Sequence, residues 1–194
     1  MPRLALLLLV LAAPLAACAQ TTAETPADAL DLPDHTTVTD RDPTVPVLPD
    51  AALSPAERAV QATIQQDGVH VVHFWAPWCD NSLAEFAAGW YEVVENHPDV
   101  SFTFVTLWND GEIGEPMLTR YAIPERVTRL VVDGEKPAKE DRRTSFLGMR
   151  VSWIPTTWVF NRNGELATAF NYGEASPEQL DAAIEGAQSD WPHE

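Results

Sequence analysis

Hydrophobic and polar positions change rhythm several times along this chain. Leu4 to Ala13 is an unbroken apolar run behind Met1, Pro2 and Arg3, and Leu15-Ala16-Ala17-Cys18 follows it. A charged start, a greasy middle and small residues predict a secretory signal over 1–17. The run falls short of the about 20 residues that a membrane span needs. From Cys18 to about Ala52 no apolar period is present. Thr, Asp and Ala dominate there, with Pro26, Pro33, Pro43, Pro46 and Pro49 spread among them, so 18–52 reads as a flexible tether.

Ordered patterning starts at Ser54-Pro55-Ala56-Glu57, which supplies an N-cap, a proline for the first helical position and a reciprocal capping glutamate. That helix is expected to stop near Asp67-Gly68. Val69 to Trp75 is apolar on both faces apart from His70 and His73, as in a central strand covered on both sides. Ser82 to Glu95 carries Leu83, Phe86, Trp90, Val93 and Val94 at helical spacing, and Val100 to Leu107 reads as the next strand. A short helix over Glu115 to Tyr121, a short strand over Arg129 to Val132 and a helix ending at Ser145 to Met149 are expected next. Thr156 to Phe160 and Glu165 to Phe170 then form a hairpin across Asn161-Arg162-Asn163-Gly164. Ser176-Pro177-Glu178-Gln179 opens a last helix running to about Gln188. The order predicts one α/β domain over 53–190, with a mixed central sheet flanked by helices and a tail at 191–194.

Charge narrows the function classes. With 12 basic residues against 29 acidic ones the formal net charge is −17, which argues against nucleic acid or anionic lipid as a partner held by charge. Lysine occurs only at Lys136 and Lys139, a composition that suits a salty milieu and also a high-GC genome. There are two cysteines, Cys18 and Cys79. His70 and His73 lie three apart on a strand and so face opposite ways, while His35, His97 and His193 fall in tether, loop and tail. No metal site, phosphate loop or catalytic Ser-His-Asp order is predicted, and no cofactor is expected.

Leu15-Ala16-Ala17-Cys18 resembles a bacterial lipobox. That resemblance implies lipidation of Cys18 and cleavage before it, leaving Cys79 as the one free thiol of an envelope lipoprotein. Two or more acyl chains would anchor it stably. Ala19 in place of an inner-membrane retention aspartate points to the outer membrane, facing the periplasm.

Phe74-Trp75-Ala76-Pro77-Trp78-Cys79 together with Trp153-Ile154-Pro155-Thr156-Thr157 resembles the thioredoxin superfamily over roughly Ser54 to Gln188. The export signal and the long segment before Pro155 resemble its TlpA-type envelope members. Glu85 is similar to the acid of their C-x-x-C-x-x-E pattern. The resemblance implies a thioredoxin-like fold, a cis Pro155 and an Ile154 backbone beside Cys79, where a partner strand would dock. It also places Trp78 and Trp153 near the site and makes Trp75 chiefly packing. Four positions depart from the family pattern. Ser82 stands for the resolving cysteine, Asn81 for the residue, often proline, between the two, Ala87 for a kinking helix proline, and His73 for a buried aspartate.

Cys79 at a helix start gains from unpaired backbone N–H groups, which favour the anion, while Asp80 opposes it. Without an internal resolving thiol, its products would be long-lived mixed disulfides, with Ser82 tuning the sulfur. Two functions follow: monothiol exchange with thiol- or disulfide-bearing proteins, and a lipid-anchored, redox-inactive binding module on the same fold.

Overall fold

A computed structural model describes residues 48–49, 52–132, 138–173 and 175–189. The expected signal 1–17, Cys18, the tether before Leu48 and the tail 191–194 lie outside the described residues. Chain order there is α1 (Pro55–Ile64), β1 (His70–Trp75), α2 (Asp80–Asn96), β2 (Ser101–Thr106), α3 (Glu115–Arg120), β3 (Thr128–Val131), a 3-10 turn (Lys139–Asp141), β4 (Ser145–Phe146), β5 (Met149–Arg150), β6 (Thr156–Phe160), β7 (Leu166–Asn171) and α4 (Pro177–Gln188). The main sheet runs β3-β2-β1-β6-β7. β1 is parallel to β2 and antiparallel to β6, so the fold is the expected thioredoxin-like α/β sandwich with a mixed sheet.

Both faces of β1 are buried, which is why its sequence shows no polar alternation. Val71 and Trp75 pack with Phe86, Trp90, Leu180 and Ile184 of α2 and α4 on one face. Val72 and Phe74 pack with Val60, Phe146 and Trp158 on the other. The two capping boxes form as read: Ser54 with Glu57 opens α1, and Ser176 with Gln179 opens α4.

Several boundaries move. α1 stops at Ile64, capped by Gln65, three residues before Asp67, and α2 starts at Asp80 rather than Ser82. α2 also bends without the proline that Ala87 displaces. Gly89 takes φ 139°, and a Cβ there would lie 3.0 Å from Pro177 Cγ, so the bend lets α4 approach closely.

The helix expected to end at Ser145 to Met149 is a correction: β4 and β5 form a two-stranded antiparallel ribbon there. Leu147 (φ 49°) and Gly148 (φ 74°) both lie in the left-handed region, the pairing a two-residue hairpin turn demands and a helix forbids. Leu147 is fully buried, and its N–H donates to Glu57 Oε1 at 3.0 Å. A contact 90 residues away in sequence thus holds this turn.

Leu48 is pinned ahead of α1. Its N–H donates to Gln61 Oε1 at 3.1 Å, and its carbonyl accepts from Gln61 Nε2 at 3.2 Å.

Candidate functional site

The central strand β1 ends at Trp75, and Ala76-Pro77-Trp78 turns back so that the Cys79 N–H donates to Ala76 O at 3.1 Å. Cys79 is the N-cap of α2 and half-buried. Opposite it, the Ile154-Pro155 bond is cis, as the resemblance implies. Cys79 Sγ donates to Ile154 O at 3.6 Å. Thr156 Oγ1 donates to Trp153 O at 2.8 Å, and the Tyr172 N–H donates to Pro155 O at 2.7 Å, which together tie the loop to β6 and β7.

Ser82 is fully buried. Its Oγ accepts the Ala76 N–H at 3.4 Å, joining the first turn of α2 to the end of the strand. That described hydrogen bond closes the loop and does not reach the sulfur. Trp75 is fully buried, whereas Trp78 is 39% and Trp153 59% exposed.

Cys79, Trp78, Trp153 and Ile154 line one cavity of about 650 Å³. Sequence reasoning missed other parts of its wall. Trp108 follows β2 and accepts the Trp78 indole N–H at its carbonyl, 2.9 Å away. Arg142 lies over both indoles, 4.9 Å from the Trp78 centroid and 4.8 Å from that of Trp108. Tyr172 meets Trp153 edge-on at 5.3 Å. Trp108 had a signal, since it lies just beyond the C-terminal end of a strand parallel to β1, where ligands of α/β sheets gather. Arg142 had none, because its place depends on the ribbon that sequence periodicity misread.

Behind the site His73 is enclosed by Trp90, Phe104 and Phe86 at 4.5, 5.1 and 5.5 Å between ring centroids. Its Nδ1 shares a hydrogen bond of 2.9 Å with Thr157 Oγ1. Burial lowers its pKa to about 3, so the ring is neutral near pH 7. Glu85 Oε2 approaches His73 Nδ1 at 3.9 Å, a contact with a neutral ring rather than an ion pair. Burial raises Glu85 to about 7, against the opposing pull of the Trp90 indole and then of the Ala175 backbone.

The family model described as a thioredoxin-like domain matches residues 56–188. A DsbF homologue from Corynebacterium diphtheriae is similar in structure, with TM-score 0.50 and 18% identity over 64% of this chain and 74% of its own. A thio-disulfide isomerase from Thermus thermophilus gives TM-score 0.47 and 26% identity over 67% of this chain and 84% of its own. A secreted Mycobacterium tuberculosis disulfide oxidoreductase gives 0.46 and 17% over 64% and 85%. No curated protein matches the sequence. At its low identity the Corynebacterium likeness speaks to the fold.

Proposed function

The chain belongs to the thioredoxin-like domain family, and from that premise we propose that it is an envelope lipoprotein, anchored through Cys18, whose Cys79 exchanges disulfides as a single thiol. The observation that carries this reading is a half-buried Cys79 sulfur set against Ile154 O at the wall of an aromatic cavity, with serine at the resolving position.

In the reaction Cys79 gives up its proton, and its sulfur attacks one sulfur of a partner disulfide. A new S–S bond forms, the old one breaks, and the leaving thiolate departs with the electron pair and takes a proton. The partner disulfide is the oxidant. Ser82 cannot repeat the attack from within, so release requires a thiol from outside. Ile154 and Pro155 present the docking backbone, and Trp78 and Trp153 the apolar wall.

Ser82→Cys is expected to create insulin-reducing turnover with a dithiol reductant, while Cys79→Ser is expected to lose mixed-disulfide formation, read by intact mass without reductant. Failure of the wild-type protein to form a mixed disulfide with any peptide disulfide would falsify the exchange reading. That outcome would leave the second reading, a redox-inactive binding module, which the purely loop-closing hydrogen bond of Ser82 favours.

Export over 1–17 and the tether between Cys18 and the domain complete the proposal, with the periplasmic face of the outer membrane as the site of anchoring. Cys18→Ala is expected to abolish the acyl mass and to leave the leader 1–17 uncleaved, as intact mass of the membrane fraction would show. A mature wild-type protein that begins at Cys18 without acyl mass, or that is cleaved at another position, would overturn the anchor.

A further inference from the structure

Arg142, Lys139 and Arg150 border the cavity that opens on Cys79, and among the described residues lining it Asp80 is the one acid. This is the reverse of the whole chain, which carries 29 acidic residues against 12 basic ones. The cationic groups are also placed in advance. Arg142 stacks over the indoles of Trp78 and Trp108, and the Trp78 indole N–H is held by the Trp108 backbone carbonyl. Arg150 Nε donates to Ser152 Oγ at 2.6 Å. Lys139 and Arg150 are exposed, so little desolvation opposes an incoming carboxylate.

A backbone feature indicates that the occupant is a peptide. Pro155 O is already engaged by the Tyr172 N–H, whereas the described donor to Ile154 O is the Cys79 thiol. When the sulfur loses its proton to attack, that carbonyl loses its donor. An N–H beside the partner's cysteine in an extended segment can replace it, and a small disulfide without an amide cannot.

We propose that this cavity receives an extended segment of a partner protein in which acidic residues flank the reacting cysteine. The proposal rests on the exchange reading above and names its substrate class. The bonds made and broken are those already given, with the partner disulfide as oxidant and its leaving thiolate taking the electron pair and a proton.

The test uses the full chain and two peptides of equal length, each with one cysteine capped as a 2-pyridyl disulfide. One carries Asp and Glu on both sides of the cysteine and the other carries Lys; release of thiopyridone reports the rate. The net charge of −17 alone would favour the lysine peptide. The local cluster is expected to favour the acidic peptide by about tenfold at low salt, with the ratio falling as salt is added.

Lys139→Glu with Arg150→Glu is expected to bring the ratio to about one or below. Arg162→Glu, in the turn at the opposite end of the sheet, is expected to keep it. Equal rates for the two peptides on the wild-type protein overturn the proposal, as does an Arg162→Glu effect equal to that of the double variant. Neutral dipyridyl disulfide separates the two readings. If both peptides react at equal rates, only the acidic-segment proposal falls; if neither peptide nor the dipyridyl disulfide reacts, the exchange reading falls.

Discussion

His73 occupies a strand position where charge is costly, and the enclosing rings leave its Nε2 without a partner among the described residues. Its lowered pKa and the raised pKa of Glu85 act oppositely on stability. His73 binds a proton more readily unfolded, so its contribution is lost as pH falls from about 6.5 toward 3. Glu85 binds a proton more readily folded, so its contribution is lost as pH rises from about 4.5 to 7. Glu85→Gln is therefore expected to flatten the decline of stability on the neutral side while leaving the acid limb, as urea midpoints between pH 4 and 8 would show. Glu57 adds to the acid limb. Burial would raise it, but the Ser54 hydrogen bonds, the Leu147 N–H and Arg143 at 3.2 Å together hold it below the usual carboxylate range. Glu57→Ala removes an N-cap partner and orphans the buried Leu147 N–H, for an expected loss of about 3 kcal/mol by chemical denaturation.

Among the elements, α2 carries both the Cys79 cap and the bend. The Gly89 φ of 139° strains any side chain and a Cβ there would press on the Pro177 ring, so Gly89→Ala is expected to cost about 2 kcal/mol and to loosen the contact of α4 with α2. Equilibrium unfolding measures the loss, and tryptophan emission from the buried Trp90 reports the packing. At its far end α2 is held by Arg126, which donates to Val94 O, to His97 O at 2.9 Å and to Val100 O at 3.1 Å. At its near end Ser82→Ala would leave the buried Ala76 N–H without its acceptor, at a cost of about 1–3 kcal/mol, while Ser82→Cys keeps a side chain of similar size there.

For the molecule as a whole, a net charge of −17 on one small domain and its leader means self-repulsion in the folded state. Raising sodium chloride from about 0.01 M to about 1 M shortens the screening length from about 30 Å to about 3 Å. The melting temperature is expected to rise by about 5 °C over that range. A flat or falling curve in differential scanning calorimetry would show that burial and hydrogen bonding outweigh the repulsion.

Local chemistry carried much of this architecture into the sequence. Ser54 and Ser176 declare their helices because a cap is satisfied within three residues, and the apolar run through Phe74 declares a doubly covered strand because no solvent face exists to demand polarity. The resemblance carried by Phe74 to Cys79 and Trp153 to Thr157 implied that the Ile154 backbone would lie beside the sulfur, as it does. Other features depend on partners far away in the chain. Leu147 holds a left-handed turn where Glu57, on α1, receives its N–H. Arg142 stacks on Trp78 and Trp108 only once β1, β2 and the ribbon have been brought together. Ser82 spends its hydroxyl on Ala76, a choice that the strand-to-helix turn makes and that composition cannot reveal. Residue type and near-neighbour spacing set most of the elements and put Cys79 at a helix start, while the charge and shape of the surface that faces it arose from contacts between segments with no local reason to meet.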